Sequence, residues 1–137
     1  MSRVPALVVM HADLGEALLR AARQVYGDFE DVEALSNSAY SRDDLERAIE
    51  ERVARWPHGG LVLCDFPGGS CQQCSLLAAR IRSHGPDAEI VLVTGANLSA
   101  LLDYLHNRDQ YGVVELAERI RKRAQDSIRV QRGQQPA

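Results

Sequence analysis

The chain has 137 residues, about one domain at the usual prior of roughly 100 to 200 residues each, so two independent cores are not expected. With 45% hydrophobic and 26% charged residues it can bury one sizeable core and is too mixed in composition to be disordered. A formal net charge of -3 supplies no global positive field to hold a phosphate backbone, which argues against a nucleic-acid partner.

Residues 4–10 are a short apolar run containing Val8 and Val9, which predicts a buried parallel strand with His11 at its carboxyl end. Leu14, Ala17, Leu18, Ala21, Ala22 and Val25 recur at three- and four-residue steps, the pattern of one helical face over residues 14–26, with Gly27 as its stop. Residues 32–35 predict a second strand. Ser41 followed by Asp44 resembles a capping box, opening a helix through Leu45, Ile49, Val53 and Trp56 that ends at Pro57 and Gly59-Gly60.

Residues 61–64 predict a third buried strand, which delivers Asp65 and then the turn Phe66-Pro67-Gly68-Gly69-Ser70. A helix follows with Cys74, Leu77, Ala78 and Ile81 on one face and Gly85-Pro86 as the stop. Residues 89–93 are the fourth strand, Thr94-Gly95-Ala96 turns, and Asn97 is the expected N-cap of a helix over 98–105. A last helix covers about residues 113–124, and the alternation in Ser127-Ile128-Arg129-Val130-Gln131 fits a half-buried edge strand. Residues 1–131 are therefore read as one domain and 132–137 as a disordered polar tail.

Strands alternating with helices of this length predict an α/β fold: an open, doubly wound sheet of four parallel strands with helices on both faces, plus that C-terminal edge strand. Such sheets bind ligands outside the carboxyl ends of their strands. His11, Asp65 and Thr94 each fall at such an end, so the fold gathers on one edge residues far apart in sequence.

A histidine facing an aspartate at a sheet edge suits nucleophilic attack, general acid–base work or metal ligation. Gly68-Gly69-Ser70, leading into a helix amino terminus, can aim several backbone N–H groups at one point and add the positive end of the helix dipole, a concavity for an anion such as phosphoryl. Together these describe a phosphohistidine site. Against it stands the plainer reading of a surface histidine beside a tight turn.

Three ordered motifs carry a family resemblance: His11-Ala12-Asp13-Leu14-Gly15-Glu16-Ala17-Leu18, then residues 61–70, then Val93-Thr94-Gly95-Ala96-Asn97-Leu98 with Leu101-Leu102 behind it. They resemble the mannose-type enzyme IIA domains of the bacterial phosphotransferase system. The resemblance implies a phosphotransferase that accepts phosphoryl from the HPr phosphocarrier on His11 and gives it to an enzyme IIB partner, in sugar uptake or in a regulatory relay. It assigns Asp65 as the paired carboxylate, Gly68, Gly69 and Ser70 as the phosphate-cradling loop and Thr94 as a nearby position, and it requires neither metal nor cofactor. It also implies a homodimer in which the C-terminal strand crosses to the partner subunit and pairs antiparallel there.

The chain departs from the family where Met10-His11-Ala12 stands for Thr-His-Gly, and at Pro67, Cys71 and Gln73, usually an aromatic residue, Pro and Asn. The related phosphocarrier subunits of dihydroxyacetone kinases rank lower because their loop lacks the double glycine.

The longest apolar run, residues 6–10, is far short of the roughly 20 needed to cross a bilayer, and no apolar leader precedes it; a cytoplasmic protein without direct membrane insertion is expected. Lys122 is the only lysine and lies in no glycine-rich loop, which excludes a P-loop NTPase. Cys64, Cys71 and Cys74 form an odd set unsuited to a secreted disulfide framework. The spacing of Cys71 and Cys74 at a helix amino terminus, where the dipole lowers a thiol pKa, leaves a thiol-based redox or metal-sensing module as the alternative function, with a zinc site including His11 and Cys64 as its metal form; the favoured reading takes the cysteines as small core residues, Cys74 on the apolar face of its helix and Cys64 at a strand end. A catalytically silent interaction domain is the third reading. His58, His84 and His106 are read as solvated residues, Trp56 as core or rim packing, Arg119, Arg121, Lys122 and Arg123 as a solvated helix face, and Asp13 as a cap of the first helix.

Overall fold

A computed structural model describes residues 3–83, 85, 88–134 and 136. His84 and Pro86, singled out above, lie outside the described residues. In chain order the elements are β1 (Ala6–Met10), α1 (Leu14–Tyr26), β2 (Glu33–Ser36), a 3-10 turn (Asn37–Ala39), α2 (Arg42–Val53), β3 (Gly60–Cys64), α3 (Ser70–Arg82), β4 (Ile90–Val93), α4 (Leu98–Asn107) and α5 (Val113–Ser127). The four strands are all parallel and lie in the order β2-β1-β3-β4.

The apolar strands follow from their position, because β1 and β3 are central and covered on both faces. Val8, Met10, Leu61 and Leu63 face a core built with α1, α4 and α5, while their neighbours Leu7, Val9, Val62 and Cys64 face a second core built with α2 and α3. That is the alternation a pleated strand imposes, and it explains why the strands read as continuous apolar runs. No helix among the described residues is long and apolar enough to cross a membrane.

The buried face of α1 is turned from the predicted one. Gly15, Leu19 and Ala22 are buried, whereas Leu14 and Val25 are 46% and 65% exposed. Close approach to the sheet is the reason: a Cβ on Gly15 would lie 3.1 Å from the Ala34 Cβ. The face of α3 is likewise Cys71, Cys74, Ser75, Ala78 and Ala79, with Leu77 and Ile81 exposed. Ser41 accepts from the Asp44 backbone N–H and Asn97 from that of Ala100, as their sequence positions predict, but the Asp13 side chain makes no cap to α1.

The helix α5 runs on to Ser127, so the first residue of the expected edge strand is helical. After it Ile128 and Val130 are 77% and 89% exposed, and residues 128–131 form no strand within the single chain. Of the basic stretch, Arg119 and Arg123 approach the buried Asp103 at 3.8 and 3.6 Å, Arg121 pairs with Glu118 and Lys122 with Asp126. Trp56 is half-buried against the second core, and the His106 ring meets Tyr26 edge-on at 5.0 Å.

Candidate phosphohistidine site

The strand order puts the site where the sheet reverses its direction of growth. The chain leaves β1 to one side, toward β2, and reaches β3 on the other, so the carboxyl ends of β1 and β3 open side by side at a switch point. His11 is the first residue beyond β1 and Asp65 the first beyond β3. Val9 is in register with Cys64, which brings the two exits level.

Asp65 grips His11 twice with one oxygen. Its Oδ2 accepts the His11 backbone N–H at 2.9 Å and lies 2.8 Å from ring Nδ1, while its Oδ1 accepts the Phe66 backbone N–H at 3.1 Å. The Asp65 side chain is only 9% exposed and that of His11 32%. Burial alone would push the Asp65 carboxyl up, but the hydrogen bonds from the His11 backbone and ring outweigh it and hold the carboxyl below its ordinary range. A carboxylate at Nδ1 fixes the tautomer: Nδ1 carries the proton and Nε2 keeps its lone pair.

The glycine loop lies against that lone pair. A Cβ on Gly69 would fall 3.0 Å from His11 Cε1, 3.3 Å from Nε2 and 2.9 Å from Phe66 Cζ, so the close approach of ring and backbone requires glycine there. Gly68 before it takes φ +88, in the left-handed region. Gly69 is the N-cap of α3 without a side-chain cap, so the N–H groups of the first turn, from Ser70 to Gln72, have neither a capping side chain nor an intrahelical acceptor. The ring therefore presents Nε2 beside uncapped donors and the positive end of a 13-residue helix. Phe66 stacks on the imidazole at 5.0 Å between centroids and remains 47% exposed.

Of the sequence-predicted residues, His11, Asp65, Gly69 and the start of α3 at Ser70 converge. Thr94 does not join them by any bond: it is exposed just beyond β4, and its side chain has no hydrogen bond among the described residues. The turn it begins is tied to β3 instead, through the Ala96 N–H and the Cys64 carbonyl at 2.9 Å.

Asn37 escaped the sequence reading, and Gln73 figured there only as a departure from the family pattern. Asn37, after β2 on the same edge, accepts the Ala12 N–H on Oδ1 at 3.1 Å and so holds the turn behind His11. Its position just beyond the carboxyl end of β2 is the sequence signal that marks it. Gln73 Nε2 reaches the Gly68 carbonyl at 3.5 Å while its Oε1 accepts from Arg42 at 2.9 Å, which ties the loop to α2; nothing in its spacing announces that.

Ala12 takes φ +50, the one positive-φ residue among the described non-glycines. An L-residue pays roughly 1–2 kcal/mol for that conformation, against the ~0.5–1 kcal/mol that the extra freedom of an unfolded glycine costs. Ala12→Gly is therefore expected to raise the stability by up to about 1 kcal/mol, seen as a higher denaturant midpoint at unchanged slope. The Asn37 bond is to the backbone and survives the change.

The cysteines correct the expectation of an activated thiol. All three are free and buried. Burial pushes Cys64 up to about 12 and Cys71 up to about 11, and raises Cys74 as well, so burial outweighs the helix dipole. Cys64 Sγ lies 3.6 Å from Ser75 Oγ and Cys74 Sγ is 3.6 Å from the Arg42 carbonyl. Cys71, not Cys64, is the thiol beside His11 and Asp65: the three residues have donor atoms within 4.8 Å of one another.

A cleft of about 650 Å³ opens elsewhere, at the amino ends of the strands, with Pro5, Trp56, Gly59 and Tyr111 in its walls. Among the described residues its walls gather no acid–base pair comparable to His11 and Asp65; His58 on its rim is exposed and lacks a hydrogen bond among the described residues.

No protein-family model matches the chain, and no curated protein sequence does. Solved structures do. A phosphotransferase system EIIA component from Streptococcus agalactiae superposes with a TM-score of 0.84 at 22% identity, over 93% of this chain and 96% of that one. A mannose/sorbose-specific IIA subunit from Enterococcus faecalis gives 0.81 at 15% identity, over 99% and 100%. A IIA protein associated with the fucose utilization operon of Streptococcus pneumoniae gives 0.78 at 22%, over 95% and 96%. The chain has the fold of these enzyme IIA proteins across nearly its whole length.

Proposed function

We propose that this chain is a phosphohistidine carrier of the phosphotransferase system, accepting phosphoryl from an HPr-like donor on His11 and passing it to an enzyme IIB partner. The observation that carries the reading is the Asp65-held imidazole, with Nε2 against the Gly69 backbone at the amino end of α3. Solved structures with the same fold include phosphotransferase system components, and the motifs at residues 11–18, 61–70 and 93–98 resemble those of mannose-type enzyme IIA domains.

In the transfer, the Nε2 lone pair attacks phosphorus as the donor's N–P bond breaks, and the bonding pair stays with the donor imidazole. Nδ1 keeps its proton, so the phosphorylated ring is cationic and Asp65 balances that charge. The N–H groups from Ser70 to Gln72 meet the phosphoryl oxygens as negative charge is redistributed. Handing the group to IIB is the same displacement in the other direction. A cytoplasmic location follows from these partners. Incubation with phosphoenolpyruvate, enzyme I and HPr is expected to add one phosphoryl group to the intact mass; an unchanged mass would refute the carrier reading.

We extend the reading to a homodimer. The exposed Ile128 and Val130 follow α5, and β4 is an open edge of the sheet. An uncovered edge and an alternating apolar segment complement each other, and pairing of residues 128–131 across a two-fold axis would bury both apolar side chains. Light scattering of a chain truncated after residue 126 is expected to give a monomer; a truncated chain as dimeric as the full one would rule out strand exchange.

A further inference from the structure

Phosphoryl transfer makes no use of Cys71, yet its Sγ, a ring nitrogen of His11 and a carboxylate oxygen of Asp65 all lie within 4.8 Å of one another. Among the described residues this is the one group of three potential metal donors so close. They arrive from the end of β1, the end of β3 and the first turn of α3, so the fold itself brings them together. Tetrahedral zinc at bond lengths of about 2.0–2.3 Å holds its donors roughly 3.3–3.8 Å apart. Small shifts close the 4.8 Å spread to that size, and the 2.8 Å between His11 Nδ1 and Asp65 Oδ2 needs to open only slightly.

We propose that His11 Nδ1, Asp65 Oδ2 and Cys71 Sγ form a zinc-binding site whose occupation blocks phosphoryl acceptance by the same histidine. The donor set selects the metal, because thiolate, imidazole and carboxylate suit zinc, whereas magnesium and calcium take oxygen ligands. Ionised Asp65 and Cys71 together neutralise the two positive charges. The half-exposed edge of the His11 ring is the way in, since Asp65 and Cys71 are themselves covered. Water completes the fourth position.

The block follows from proton placement. On binding, the Cys71 thiol releases its proton to solvent, and the imidazole, neutral before and after, exchanges its Nδ1 proton for one on Nε2. No electron is transferred and no covalent bond other than N–H and S–H changes. An Nε2 that carries a proton has no lone pair for phosphorus, so zinc and phosphoryl compete for one ring through its two nitrogens. The blocking half of the proposal rests on the carrier reading; the binding half does not.

Titration of the purified full chain with cobalt(II) tests the binding half by itself. One equivalent is expected to produce a thiolate-to-metal charge-transfer band in the near ultraviolet and the intense visible bands of a four-coordinate ion. Cys71→Ser should lose the thiolate band, and zinc measured against a chromophoric chelator should bind it at least about 100-fold more weakly, since even supporting residues around a metal cost 10–100-fold. Cys64→Ser and Cys74→Ser should keep the band. Its absence from the wild type, or its persistence in Cys71→Ser, overturns the site. In the second arm one equivalent of zinc is added to the phosphorylation mixture. Wild type should be blocked and a chelator should restore it, while Cys71→Ser is phosphorylated throughout. Equal phosphorylation of wild type with and without bound zinc overturns the block. A wild type not phosphorylated even without zinc overturns the carrier reading and the block with it, and leaves the cobalt result standing.

Discussion

Asp65→Asn is expected to slow phosphoryl acceptance by up to about 10,000-fold, the loss seen elsewhere when the charge behind a reacting imidazole is removed. One carboxylate oxygen takes both the backbone N–H and Nδ1 of His11, and the other takes the Phe66 N–H. An amide has a single acceptor oxygen. Whichever way it is turned, its NH2 meets one of these donors, and no negative charge remains to balance the phosphorylated ring. The cost to stability is smaller, about 1–3 kcal/mol for hydrogen bonds to a charged group. The folded Asp65 carboxyl lies below its ordinary value, so its stabilisation is fully present above the unfolded pKa of about 3.9 and is lost as pH falls through the folded one. Wild type should lose that increment on acidification and Asp65→Asn should lack it. Rates equal to wild type would make Asp65 a structural acceptor for loop amides alone.

Gly69→Ala is expected to cost about 10- to 100-fold in acceptance, because misplacing a reacting group by about 1 Å has that effect. The new methyl carbon would lie 2.9 Å from Phe66 Cζ and 3.0 Å from His11 Cε1, closer than either ring tolerates. Phe66 is half-exposed and can swing away; His11 is pinned by two bonds to Asp65, so the loop must give. That displaces the α3 amino terminus from Nε2. Gly68→Ala makes an informative partner, since a Cβ there meets nothing within 4 Å and acts only through its φ of +88. Stability should fall in Gly68→Ala and acceptance should fall further in Gly69→Ala, read from denaturant unfolding and transfer rates side by side.

The helix and strand order was legible because each buried strand is a compact apolar run and each helix is punctuated: Ser41 and Asn97 cap, and Gly27, with φ +117, stops. The convergence of His11 and Asp65 was legible for a topological reason, since consecutive parallel strands put their carboxyl ends on one edge. What periodicity missed was rotation. Leu14 and Ile81 fit their apolar stripes yet face outward, because the small residues Gly15 and Ser75 are the buried ones on α1 and α3 and small residues weigh little in an apolar count. The cysteines are core residues, as favoured from their positions, but how strongly burial outweighs the dipole was not legible: the dipole can be read from position in a helix, whereas burial depends on which face meets the sheet, and Cys71 faces it fully. The place of Asn37, just beyond β2 on the same edge, was legible, but its hydrogen bond to Ala12, 25 residues away, was not.

In the proposed carrier, His11 holds phosphoryl on the nitrogen turned away from Asp65. Nitrogen-resolved NMR of the imidazole, in protein phosphorylated from phosphoenolpyruvate through enzyme I and HPr, tests it at the level of the atom. An acid-labile phosphoryl group is expected on Nε2 of His11, with Nδ1 still protonated and bonded to Asp65, and no phosphorylation of His11→Ala. Phosphoryl on Nδ1, or a phosphate that persists in His11→Ala, would contradict it.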